Sequence, residues 1–193
     1  IASSGEEGGE KDIATQTLVC GPDSNWASIM QCFFSAITLA RKHIYIVSPY
    51  FTPNESVLNA IKIAALGNID VRIMLPEKSD TRIAHYSTMS YVSELLEAGV
   101  KIYLFKKGFN HSKVVSIDGE VSIVGSANMD MRSFHLNFEV NAIIYHADTA
   151  VRLRDTFTED LKQSHELTSE IYNNRSLLIR FKESLSRLLS PVL

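Results

Sequence analysis

The sequence predicts an α/β domain with a mixed, mostly parallel sheet flanked by helices on both faces. Three observations lead there. Short apolar runs rich in Val and Ile alternate with stretches of helical spacing, the pattern of strands joined by crossover helices. Pro or Gly punctuates most of the junctions, as at Gly21-Pro22, Pro49, Pro53, Gly67, Pro76 and Gly99. Near residue 118 the alternation gives way to two β-branched runs (Val114, Val115, Ile117; Val121, Ile123, Val124) separated by Asp118-Gly119, a hairpin signal.

Taken in order, residues 1–12 are Gly, Ser and acid with almost nothing to bury, and 1–16 read as a linker or disordered segment ahead of a domain at 17–193. Thr17 to Val19 suggests a strand. Asp23, Ser24 or Asn25 can cap a helix whose apolar residues Trp26, Ile29, Met30, Phe33, Phe34 and Ile37 follow helical spacing. His43 to Val47 is the next strand, and a second helix runs from Asn54 to Gly67. Ile69 to Leu75 is a strand ended by Pro76. A third helix spans about Asp80 to Glu97 with Gly99 closing it, and Lys101 to Phe105 is a strand. After the hairpin at 111–124 come a helical turn near Asn128 to Ser133, a strand from Asn137 to Tyr145 and a helix from Asp148 past Leu161. The tail helix at 169–189 carries Leu178, Phe181, Leu185, Leu188 and Leu189 at helical spacing among Arg175, Arg180, Lys182 and Arg187. That stripe can pack on the domain, the reading preferred from sequence, or lie on an anionic membrane surface.

Bulk properties narrow the function. The 193 residues suit one domain with a sizeable core. A net charge of −3 argues weakly against nucleic acid as a partner, since a local basic patch could still serve. Cys20 and Cys32 stand twelve apart without CxxC spacing, so they read as reduced packing residues and a zinc site is not expected. No apolar run approaches the roughly 20 residues of a spanning helix.

The chemistry concentrates in His111-Ser112-Lys113, then Asp118-Gly119, then Gly125-Ser126-Ala127-Asn128. His111 can act as nucleophile or proton carrier near neutral pH. Lys113, two residues on along the expected strand, leaves the same face and supplies positive charge for non-bridging oxygens. Ser126 and Asn128 offer neutral donors where a helix is expected to start, a position that favours anions. Asp118 belongs to the motif and is grouped with its catalytic residues, yet its place inside the turn signal assigns it to the hairpin and not to phosphate. Glu139, in the apolar run Phe138-Glu139-Val140, is expected either to orient an imidazole or to pair with an arginine, the first being preferred. An H-x-K alone is ordinarily an exposed polar pair and a G-S-x-N alone a common turn; it is their joint spacing that points to phosphodiester chemistry. His43, His146 and His165 read as solvated, while His85 and His135 stay open as neighbours of the site.

The joint pattern H-x-K-x4-D-x6-G-S-x-N resembles the signature of the phospholipase D superfamily. Within it, Ser48-Pro49-Tyr50-Phe51-Thr52-Pro53, the Asp70 to Pro76 strand, Ser90-Tyr91 with Glu94 to Gly99, Arg132 to Glu139 and Leu188 to Pro191 look like the C-terminal half of bacterial cardiolipin synthases. The likeness runs from about residue 17 to the end. It departs at Asn110, where the family usually has an apolar residue, and over the first twelve residues. It implies a phosphatidyltransferase that joins two phosphatidylglycerol molecules through a phosphohistidine, with no metal or other cofactor. It also implies that His111 is one of two motif histidines, that Lys113 and Asn128 bind phosphate, that Ser126 supports them, and that Glu139 orients His111. Such chemistry takes two motifs and this chain has one, so the N-terminal half of the same enzyme or a second copy is the expected partner. The parent enzyme is expected at the bacterial cytoplasmic membrane, with this chain soluble. Two other readings stay open: a nuclease or phosphodiesterase active as a homodimer, and a non-catalytic module binding phosphate or lipid head groups.

Overall fold

The computed structural model describes residues 12–190, so most of the expected linker lies outside the described residues. Strand β1 (Ala14–Cys20) already begins within the segment expected as linker, because it pairs antiparallel with a late strand all along its length. Helix α1 (Ser28–Leu39) starts later than its cap signals suggest. Ser24 is already engaged in a turn, accepting from Gly21 N–H at 3.1 Å, so it is not free to cap, and Trp26 stays outside the helix, 70% exposed.

Strand β2 (His43–Val47) is followed by a two-residue strand, β3 (Phe51–Thr52). Helix α2 (Glu55–Leu66) has the expected Asn54 cap, whose side chain accepts from Val57 N–H at 3.2 Å. Strand β4 (Asp70–Pro76) precedes α3 (Arg82–Ser90) and α4 (Val92–Glu97). The single helix expected here breaks at Tyr91, whose N–H bonds Thr88 O three residues back, a tightened turn that lets the two pieces diverge. Next come β5 (Lys101–Phe105) and the hairpin of β6 (Val114–Ile117) with β7 (Val121–Gly125). Asp118 and Gly119 at the turn have φ of 58° and 71°, the paired left-handed conformation that suits a two-residue hairpin. The short β8 (Met129–Asp130) and α5 (Met131–His135) lead into β9 (Glu139–Tyr145) and α6 (Ala147–Leu161). The chain closes with β10 (Ser164–Glu166), α7 (Ser169–Asn173) and α8 (Leu177–Arg187).

One sheet orders the strands β1-β9-β7-β6-β2-β4-β5-β10, and β3 pairs with β8 separately. The sheet is mixed, as predicted, but it is mostly antiparallel and not mostly parallel: two of its seven pairings are parallel, because the hairpin and the two edge strands add antiparallel neighbours. Its parallel part is β2-β4-β5, where helices cross over, and hairpin and edge pairings make the remainder antiparallel. Successive residues of β2 point to opposite faces. Ile44 and Ile46 join Ile29, Phe33, Ile37, Val57 and Ile61 in the larger core, while Tyr45 and Val47 meet Phe157 of α6 on the other side. Helices therefore cover both faces.

The tail packs against the preferred expectation. Helix α8 turns Glu183 and Ser186 inward and leaves Leu178, Phe181, Leu185 and Leu188 exposed. Among the described residues, no helix is long and apolar enough to cross a membrane.

Candidate active site

His111 and Lys113 sit on the loop ahead of β6, not on the strand itself. The ladder still reaches them weakly, since Gly125 N–H donates to Lys113 O at 3.4 Å. The two side chains nevertheless meet. The Lys113 ammonium lies 2.9 Å from His111 Nδ1, 3.2 Å from Nε2 and donates to the His111 carbonyl at 2.7 Å. Burial lowers the Lys113 pKa below the usual lysine value, opposed by the nearby carboxylates of Glu139 and Asp130. Aromatic rings frame the imidazole: Phe109 with centroids 5.4 Å apart and Tyr50 edge-on at 6.3 Å. The Tyr50 hydroxyl donates to Asp80, and burial together with that bond pushes the phenol up to about 12.

The second arm grows from the β7–β9 ladder, in which Gly125 stands opposite Asn141. An ideal Cβ on Gly125 would lie 2.3 Å from both Asn141 Oδ1 and Val140 O, so only glycine lets these backbones approach so closely. The chain then turns so that Ser126 N–H reaches Val140 O at 2.9 Å, while its hydroxyl donates to the Glu139 carboxylate and accepts from Val140 N–H at 3.0 Å. Asn137 Nδ2 donates to the other Glu139 oxygen at 3.2 Å and its own Oδ1 accepts from Arg132 Nε at 3.3 Å. Among the described residues, no hydrogen bond or ion pair joins Glu139 to His111; Glu139 is held by Ser126 and Asn137.

Asn128 forms the third arm. Its N–H and Nδ2 both donate to Ser133 Oγ, at 3.1 and 3.2 Å. The expected helix start does not fall here: α5 begins at Met131, capped by Asp130, which accepts from Ser133 N–H at 2.6 Å. The Asp130 carboxyl is pushed above its ordinary value by burial. Asn128 and Asp130 line a 310 Å³ cleft with Tyr50, Thr52, Thr81, Ala84, Thr88, Arg132 and Asn137. Among the described residues, Asn128 Oδ1 and Thr52 Oγ1 are buried without a hydrogen-bond partner, leaving one amide oxygen and one hydroxyl open. A larger groove of 800 Å³ lies elsewhere, between α1 and the sheet at the Asp118 end.

Asp118 does not join the catalytic set in which the motif placed it. It lies past the far end of β6 from His111, where its carboxylate accepts from the N–H groups of Arg41, Lys42 and His43 at 2.8, 2.8 and 2.9 Å. Those bonds hold its pKa below the ordinary carboxylate value against the opposing effect of burial. Among the described residues, no hydrogen bond joins the other histidines to His111, Lys113, Ser126 or Asn128, and His135 is exposed at the end of α5. His43 is half-buried 4.7 Å from the Tyr45 ring, His146 caps α6, His165 lies 3.6 Å from Glu77, and burial lowers the pKa of His85. None of these is simply solvated. Sequence reasoning gave no chemical role to Tyr50, Asp80, Asp130, Ser133 or Asn137; the Asp130-x-x-Ser133 spacing, a helix-cap pattern, was the available signal.

The arrangement places an imidazole against a cation, with the Glu139 and Asp130 carboxylates, which Ser126 and Ser133 hold, close enough to act on that cation. Among the described residues, no group of three or more His, Cys, Asp or Glu could hold a metal ion.

Known proteins agree in part with this picture. A family model described as cardiolipin synthase, PLD-like domain, matches residues 33–161. A cardiolipin synthase of Geobacillus sp. (strain WCH70) is 53% identical over 178 residues, covering 92% of this chain and 36% of that protein. A cardiolipin synthase of Listeria monocytogenes serotype 4a (strain HCC23) is 49% identical over 185 residues, covering 96% of this chain and 38% of its own length. The chain thus spans little more than a third of these relatives. Among solved structures, a phospholipase D family member, Nuc from Salmonella typhimurium, superposes with TM-score 0.70 at 21% identity, covering 82% of this chain and all of that one. Phosphatidylserine synthase of Haemophilus influenzae superposes with TM-score 0.69 at 17% identity, covering 94% of this chain and 48% of the other. At these identities the structures speak for the fold alone.

Proposed function

The chain belongs to the cardiolipin synthase, phospholipase D-like domain family, and from that premise we propose that it is one half of a phosphatidyltransferase site. In this reading His111 attacks the phosphorus of one phosphatidylglycerol. An N–P bond forms, the P–O bond to the head-group glycerol breaks, and a proton from the missing half's acid goes to the leaving glycerol. A hydroxyl of a second phosphatidylglycerol then attacks the phosphohistidine, gives its proton to the same group and restores the free imidazole. Lys113 neutralises the non-bridging oxygens, Asn128 binds them, and Ser126 with Glu139 shapes the pocket beside them.

The observation that carries the proposal is the contact of Lys113 Nζ with both ring nitrogens of His111, 2.9 and 3.2 Å away. A cation held there serves a nucleophile that must accept a phosphoryl group. The complementary half would come from the rest of the parent enzyme, since the chain covers 36–38% of its relatives' length, and that enzyme would work at a membrane.

The test mixes this chain with the N-terminal part of its parent and supplies labelled phosphatidylglycerol. Cardiolipin and glycerol should form only when both parts are present, through an acid-labile phosphoenzyme that His111→Asn abolishes. Unchanged turnover in that variant would overturn the assignment, and robust synthesis by a demonstrated monomer of this chain alone would overturn the half-site. A second reading, a phosphodiesterase completed by two copies, is favoured by the single H-x-K motif at His111 and Lys113. Sizing with an assay on a soluble phosphodiester decides it: an active dimer supports that reading.

A further inference from the structure

Helix α8 is packed inside out. Its inward face carries Glu183, Ser186 and, just beyond, Ser190, which are 3, 8 and 1% exposed. Polar bonds fix that face. Glu183 pairs with Arg175 at 2.9 Å, and the Ser190 and Ser87 hydroxyls lie 2.7 Å apart against α3. Its outward face is Leu177, Leu178, Phe181 and Leu185, continued by Leu188 and Leu189, with exposures from 45 to 81%. At 3.6 residues per turn these six side chains share one arc of about 120°. No polar residue interrupts it.

Charge borders the arc with one sign. Arg180, Lys182 and Arg187 flank it, whereas the one acid of the helix, Glu183, is buried on the opposite face. Arg187 is anchored to Glu94 at 2.6 Å, and Lys182 lies 5.7 Å from the Tyr86 ring centre. Among the described residues Arg180 forms no ion pair. A continuous Leu and Phe ridge with cationic shoulders is the pattern of a helix that lies in the head-group region of an anionic bilayer.

Position supports the same occupant. Helix α3 holds α8 through Ser87, and its Thr81, Ala84 and Thr88 line the cleft that contains Asn128. One helix therefore separates the ridge from the candidate active site. We propose that the exposed face of α8 seats the protein on an anionic phospholipid surface and brings the cleft to the plane of the lipid head groups. The inference rests on the phospholipid reading of the site.

Vesicle co-sedimentation of the full chain tests it, with vesicles of phosphatidylcholine alone or mixed with phosphatidylglycerol. The chain should sediment with the mixed vesicles, less with phosphatidylcholine alone, and less again at high salt. Phe181→Ser/Leu185→Ser should keep its circular dichroism and melting temperature, since both side chains are exposed, and should lose about tenfold in partitioning for each side chain. Wild-type partitioning by that variant would overturn the proposal. So would a dimer of the parent chain, in the absence of lipid, that the variant converts to a monomer, because the ridge would then be a subunit interface. The two readings fail separately. If the phospholipid assignment of the site is wrong, vesicle binding persists without turnover; if the ridge is wrong, phosphatidylglycerol in detergent is still converted beside the partner half while vesicle binding is absent.

Discussion

The ammonium of Lys113 lies within 3.2 Å of both ring nitrogens of His111. An ammonium placed there can meet the charge that builds on the non-bridging oxygens of a phosphodiester attacked by that imidazole. Lys113→Gln should therefore lower kcat by about 10²–10³-fold in the completed enzyme. Because burial lowers the Lys113 pKa, the alkaline limb of the wild-type pH–rate profile should fall below the usual lysine range. Arginine at 113 should move that limb upward.

Ser126 and Glu139 act as one unit, since the hydroxyl donates directly to the carboxylate. Ser126→Ala and Glu139→Gln should each cost about 10–100-fold in turnover, and the double variant should lose no more than the worse single one. Additive losses in steady-state kinetics would show that the two residues act separately.

Gly125 is fixed by backbone crowding. Gly125→Ala would drive its Cβ to 2.3 Å from Val140 O and Asn141 Oδ1. Urea unfolding should show a loss of about 1–3 kcal/mol as β7 and β9 are pushed apart. Activity should fall further than stability, because Ser126 moves with that strand.

Asp118 should prove structural. Its folded pKa lies below the ordinary value, so its contribution is complete above the unfolded pKa and disappears as pH falls through the lowered folded one. Asn tolerates the same positive φ but lacks the charge. Asp118→Asn should cost about 1–2 kcal/mol at neutral pH, or roughly 3–6 °C in Tm, and flatten the acid limb of stability.

The side chains of Glu183 and Arg175 are largely buried, and the loss of one partner strands the other. Glu183→Ala should destabilise by about 3 kcal/mol, while Arg175→Met/Glu183→Leu should recover most of that loss. Calorimetry on the pair of variants checks both statements.

The sequence carried the sheet's centre well, because β2, β4 and β5 are apolar after their first residue, interrupted only by Arg72 in β4, with Pro or Gly close to each run. It also carried the hairpin turn, because Asp and Gly both tolerate the positive φ that a two-residue hairpin requires. The two- and three-residue strands β3, β8 and β10 were out of reach, being too short to show a period. Tyr91 shows another limit: a continuous apolar spacing does not reveal where one helix yields to two. In the site, the motif brought His111, Lys113, Ser126 and Asn128 to attention, but not their supports. Asp80 under Tyr50 and Ser133 under Asn128 are set by tertiary packing between segments distant in the chain, or by a cap whose partner is visible only once the helix start is known. Helix α8 misled for a specific reason. A Leu and Phe stripe ordinarily faces the core, and the pairing of Glu183 with Arg175 reversed it.

The β7–β9 pairing also divides the freedom of the motif unevenly. Gly125, Ser126 and Glu139 depend on a ladder in which a slip of one residue turns every side chain over. Residues 107–112 lie outside any strand. Insertions and deletions among descendants of this fold should therefore accumulate ahead of His111, where chain length can tune the reach of the nucleophile. The strands that carry its neutral partners must keep their count, which makes one arm of the motif the evolvable part and the other its fixed ruler.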